Sequence, residues 1–192
     1  MFMALSRGID RLNDAIAGIV SWALLLAVII CAVNALVRYT FKMSSNAWLE
    51  IQWYLFAAVF MLASAHTLRR DEHVRIDVIT GHFSKRTQVW IDLAGYILFL
   101  LPVCLLIFYF GIPFFRYSYL TGESSSSAGG LIVWPAKLLV PAGFLLLLLQ
   151  GISEIIKRIA FLAGRIDGHE FGRHVVTPQD EIDAIKAANN LG

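Results

Sequence analysis

The sequence predicts an all-α membrane protein: four transmembrane helices with both termini in the cytoplasm, an N-terminal amphipathic interfacial helix and a short cytoplasmic C-terminal helix. Three observations carry that expectation. Only 16% of the 192 residues are charged, against about 25% in an ordinary soluble domain, and mean hydropathy is +0.67. The deficit is concentrated in four runs: 15–37 and 93–115 are each 23 residues without a formal charge, 51–68 is 18, and 131–153 is 23 broken only by Lys137. Each is close to the roughly 20 residues that cross about 30 Å of hydrocarbon. Finally, Lys and Arg fall 12 on one side of these runs and 4 on the other, which places the richer side in the cytoplasm. The spans are expected at about 15–37, 47–68, 89–115 and 131–156, within a membrane domain 1–163 followed by a cytoplasmic tail 164–192.

Before the first span, Phe2, Leu5, Ile9, Leu12 and Ile16 recur at helical spacing, with Arg7, Asp10, Arg11 and Asp14 opposite. That pattern predicts an amphipathic helix lying on the cytoplasmic leaflet before the chain turns inward. The first apolar run is too long for a signal-peptide core and is read as a retained helix. It ends near Arg38-Tyr39, and Ser44-Ser45-Asn46 offer N-caps for the second span. So short a link makes these helices antiparallel neighbours, with Trp48 at the outer interface. The second span delivers the chain to Arg69 and Arg70, followed by an alternation from Val74 to Val78 read as an interfacial segment. Ser84 is placed to cap the third span, which contains Pro102 and Pro113 and is expected to kink. The loop 121–130 is small and polar, and the fourth span opens at Trp134-Pro135 with proline in the tolerated first turn. In the tail, Thr177, Pro178, Asp180 and Glu181 read as the start of a short helix.

Ionisable groups at mid-membrane depth are costly, roughly 2.5–3.5 kcal/mol each, and are usually functional. The centres of the four runs, near residues 26, 58, 102 and 145, hold no carboxylate, no lysine and no cluster of hydroxyls or amides. A pore, proton relay or sodium site needs such groups along its path, so the chain alone supplies no conduit. Arg38 and Glu50 fall at the outer level of adjacent helices and can form an ion pair fixing the first hairpin, joined by Asn34, or stay as separate interface charges. Asp92 can answer Lys85 or Arg86, or remain hydrated. His66 is the one histidine within a span, so two facing imidazoles for a haem are missing. Asp71, Glu72, His73 and Asp77 lack the spacing of a metal site, and the neighbouring arginines compete for the carboxylates. Cys31 and Cys104 lie inside apolar runs without CxxC spacing and read as small hydrophobes. No nucleophile–base pairing stands out, and neither catalysis, a cofactor nor a nucleic-acid partner is expected.

Asn34, Arg38 and Tyr39, then Trp48 and Glu50, Tyr54–Phe56, Ser64-Ala65, the stretch Leu68–Asp77 and Pro141, Gly143 and Phe144 stand in an order that resembles a known family. It is the small (Q), DctQ-like membrane subunit of tripartite ATP-independent periplasmic (TRAP) transporters, and the likeness covers roughly residues 10–160. The resemblance implies a multi-pass protein of the bacterial inner membrane, surrounded by lipid and bound to partners. A large subunit moves the solute by a sodium-coupled elevator mechanism, and a periplasmic substrate-binding protein delivers it, commonly an organic acid or similar carboxylate. The small subunit is then a fixed, non-conducting scaffold. On this reading Arg38, Glu50, Arg116, Glu123 and Lys137 are candidates for docking on the outer side. Arg69, Arg70, His73, Arg75 and Asp77 form a cytoplasmic turn that braces the scaffold or touches the large subunit. Two other classes stay open: a haem- or quinol-linked anchor of a respiratory complex, and a self-sufficient small transporter or channel.

Overall fold

In the computed structural model the described residues are 2–42, 45–70 and 83–164. They form α1 (Phe2–Phe41), α2 (Asn46–Arg70), α3 (Lys85–Gly95), a π-helical segment (Tyr96–Leu100), α4 (Leu101–Thr121) and α5 (Trp134–Leu162). Four stretches are long and apolar enough to cross a membrane, and α3, the π segment and α4 together make the third of them, Arg86–Thr121. Among the described residues there is no strand, only an isolated antiparallel bridge between Ser124 and Ile132. Ser44, the alternation at 74–78 and the tail helix expected near Thr177 lie outside the described residues.

The last helix is the hub: α5 packs against α1, α2 and α4, and α1 packs against α2. Helices in lipid gain nothing from hiding apolar surface from one another, so close approach depends on small residues at the contacts. Three crossings use them. A Cβ on Gly143 would stand 2.8 Å from the Met61 carbonyl oxygen, so α5 meets α2 there at backbone distance. A Cβ on Gly151 would collide with the Leu100 side chain, and one on Gly111 of α4 would come within 3.3 Å of Pro141 Cβ. The bulky residues point the other way: Trp22, Trp53, Phe60, Phe99 and Tyr109 are exposed, an apolar exterior suited to a bilayer.

Two local features explain the shape of the third span. Ser84 caps α3, its hydroxyl accepting from the Thr87 amide at 3.4 Å, as the sequence suggested. Next to Pro102, where the sequence predicts a kink, the chain forms the π segment, which ends just before the start of α4. A proline has no N–H and its ring crowds the carbonyl four residues back; the wider π turn relieves both problems. Pro113 sits inside α4 without ending it. The helix stops instead at Gly122, whose left-handed φ of 61° suits glycine and lets its amide donate to the Ser118 carbonyl.

The start of the chain departs from expectation. Residues 2–16 are not a separate helix but the first turns of a continuous 40-residue α1. Its sides are not divided as expected either: Ile9 is buried and Arg7 and Arg11 are exposed, but Leu5 and Leu12 are 56% and 48% exposed, whereas Ser6 and Asn13 are 1% and Asp10 9% exposed. The reason is that α5 and α2 present polar partners to this stretch. Polar groups satisfied inside the bundle leave the leucines to the apolar surroundings, the opposite of a water-soluble helix.

Candidate functional site

Two polar centres sit at opposite ends of the bundle. The larger is a seam where the start of α1 meets the end of α5. Ser6, Asp10 and Asn13 repeat at helical spacing on α1; Gln150, Ser153, Glu154 and Lys157 repeat likewise on α5. The two stripes face each other. Asn13 Nδ2 donates to Gln150 Oε1 at 2.7 Å, and Gln150 Nε2 donates to Asp10 Oδ1 at 2.9 Å and Glu154 Oε1 at 3.0 Å. The Ser6 and Ser153 hydroxyls are 2.7 Å apart, and Ser153 also donates to Asp10 Oδ1 at 3.0 Å. Gln150 and Ser153 are fully buried.

Charges continue the seam outward in layers. Lys157 Nζ lies 3.0 Å from Asp10 Oδ2 and 2.7 Å from Glu154 Oε1. Arg158 donates to Glu154 Oε2 at 2.6 Å, stands 3.6 Å from Asp92 on α3 and covers the Tyr96 ring at 4.4 Å. On the α2 side, Arg69 pairs with Asp14 and reaches Asp10 at 3.8 Å, while His66 Nδ1 is 3.0 Å from Asp14 Oδ1. Each buried charge therefore has an opposite charge beside it, the condition under which such groups are tolerated away from water. Lys137 and Lys157 are twenty residues apart on α5, about 30 Å of helix and so one hydrocarbon thickness. On that scale Gln150 lies about 10 Å inside the Lys157 level.

The smaller centre clasps the connection between α4 and α5. Glu50, in the second turn of α2 and 8% exposed, accepts from the Ser125 hydroxyl and, at 2.6 Å, from the Leu131 amide. Asn46 Nδ2 donates to the Ala128 carbonyl at 3.0 Å, and the Tyr54 hydroxyl donates to Ile132 O at 3.2 Å. A Cβ on Gly130 would stand 2.9 Å from Glu50 Oε1, so the loop passes close over the carboxylate. Lys137 pairs with Glu123 across the same loop and lies 4.4 Å from the Phe114 ring centroid. The Lys137 ammonium holds the Glu123 carboxyl below its ordinary range.

Of the two readings open for Arg38 and Glu50, a mutual ion pair and separate interface charges, the ion pair does not form. Glu50 turns into the loop instead, because a backbone amide and a hydroxyl satisfy it there, and Arg38 stays exposed. Glu123 and Lys137, both docking candidates, are partners of each other, and Arg116 is exposed. At the other end Arg69 turns inward onto α1, while Arg70 is exposed. Asp92 faces Arg158, and the Lys85 side chain lies outside the described residues. His73, Arg75 and Asp77 lie outside the described residues. Sequence reasoning missed Ser6, Asn13, Gln150, Ser153, Glu154 and Lys157; the matching helical period of their two polar stripes was the available signal. Among the described residues no three His, Cys, Asp or Glu side chains gather as a metal site.

A protein-family model described as "Tripartite ATP-independent periplasmic transporters, DctQ component" matches residues 25–161, more than half of the chain. Comparison with curated proteins returned no match.

Proposed function

Since this chain belongs to the DctQ component family of tripartite ATP-independent periplasmic transporters, we propose that it is the small permease subunit of such a transporter, a non-conducting scaffold in the bacterial inner membrane. It assembles with a large elevator subunit, whose transport is coupled to sodium, and helps dock a periplasmic substrate-binding protein for uptake of organic acids or similar carboxylates. Both termini face the cytoplasm, following the uneven distribution of Lys and Arg. The clasped α4–α5 loop then faces the periplasm and the charged seam the cytoplasm.

One observation supports the scaffold reading above the rest. The polar groups of the seam reach only about 10 Å inside the Lys157 level, and they bind one another rather than lining a path. A transport route needs polar groups that exchange partners along its whole length. Here the seam ties α1, α2, α3 and α5 into one unit, which is what a fixed frame for a moving partner requires.

Co-expression of the tagged chain with the large permease and the binding protein of the same transporter tests this. The expected result is co-purification of the two membrane subunits at a fixed ratio. A chain that purifies as a stable homo-oligomer, leaving the large subunit behind, would overturn it.

A further inference from the structure

Six charged residues lie at the end of the bundle that carries the clasped loop: Arg38, Lys42, Glu50, Arg116, Glu123 and Lys137. The structure sorts them by sign. Both acidic side chains are already engaged, buried Glu50 by Ser125 and the Leu131 amide, and partly exposed Glu123 by Lys137. Of the four basic residues only Lys137 is engaged; Arg38, Lys42 and Arg116 are exposed, and none has an ion pair among the described residues. We infer that this end is a docking face for an acidic surface of a soluble protein, and that Arg38, Lys42 and Arg116 supply its attraction. The inference rests on the proposal that a periplasmic binding protein docks here, and it adds the sign of the contact and the residues that carry it.

The loop indicates a protein rather than lipid as the occupant. Its tip exposes Ser124, Ser126, Ser127, Ala128 and Gly129, with no large apolar side chain to insert among acyl chains. It is also held in place before any partner arrives, by Glu50, Asn46, Tyr54 and the Ser124–Ile132 bridge. A preorganised polar surface loses little entropy on docking. Unneutralised like charges around it raise the rate of encounter with an oppositely charged body, and salt screens that effect. Glu50, Glu123 and Lys137 act on docking only by shaping the loop.

The test uses the complex of this chain with its large subunit in nanodiscs of uncharged phosphatidylcholine, with the transporter's own binding protein as the probe. Association is followed by stopped flow at 50 and 300 mM salt. The expected result is association slowed about tenfold or more by the higher salt, and by the triple change Arg38→Glu, Lys42→Glu and Arg116→Glu, with dissociation little altered. The triple change to Gln should fall between. Binding that ignores both salt and these substitutions overturns the inference and leaves docking intact. Equal binding to the large subunit alone, or none to the complex, overturns docking and the inference together. Unchanged association with reduced retention of phosphatidylglycerol by the Glu variant would assign these residues to lipid and also overturn it.

Discussion

Asp10→Ala tests whether the seam holds the bundle together. The Asp10 carboxylate joins three helices: it accepts from Gln150 at 2.9 Å and Ser153 at 3.0 Å, pairs with Lys157 at 3.0 Å and lies 3.8 Å from Arg69. Removing one partner of a buried ion pair typically costs about 3–5 kcal/mol. The lower end applies, because Lys157 keeps Glu154 at 2.7 Å and Arg69 keeps Asp14. About 3 kcal/mol is therefore expected, read as a shift in equilibrium unfolding of the detergent-solubilised chain by sodium dodecyl sulfate. Arg11→Ala, at an exposed neighbour, should stay within about 0.5 kcal/mol of the parent. A loss under about 1 kcal/mol for Asp10→Ala, the range of an exposed ion pair, would refute a seam that holds α1 in place.

Gly143→Ala drives a methyl group into the Met61 backbone and should cost about 1–3 kcal/mol in the same unfolding measurement, whereas Gly8→Ala meets open space and should be neutral or stabilising. Glu50→Gln releases the loop, so limited proteolysis within 124–130 should become several-fold faster without loss of the helical circular dichroism signal. Glu123 is held below the ordinary carboxylate range by Lys137, so its contribution is whole above the unfolded value of 4.5 and fades as pH falls through the lower folded value. Trp134 fluorescence followed from pH 7 to pH 3 should report that acid transition in the parent and lose it in Glu123→Gln.

The helices were legible because a bilayer imposes a simple requirement, a run of about 20 residues without charge. Charge-free runs do not, however, mark helix ends. Backbone hydrogen bonds continue past the hydrocarbon, so α1 extends to Phe2 and the third span to Thr121. The candidate site was less legible, for a related reason. Charges near the ends of spans read equally well as pairs with a neighbour or as separate hydrated groups, since a single sequence shows no partner. Asp10 and Asp14 are polar residues on a helix in either reading; only packing against α5 and α2 makes them internal. Arg38 and Glu50 were well matched in depth, yet the nearer loop outcompeted the arginine. The lack of polar groups at the span centres was readable directly, and it already pointed away from a chain that conducts by itself.

Solute uptake by proteoliposomes tests the central claim most directly. Vesicles carrying a sodium gradient would hold this chain alone, the large subunit alone, or both, each with and without the binding protein, and be offered radiolabelled carboxylates. The account predicts uptake only when both membrane subunits and the binding protein are present. Uptake by vesicles holding this chain alone would contradict it.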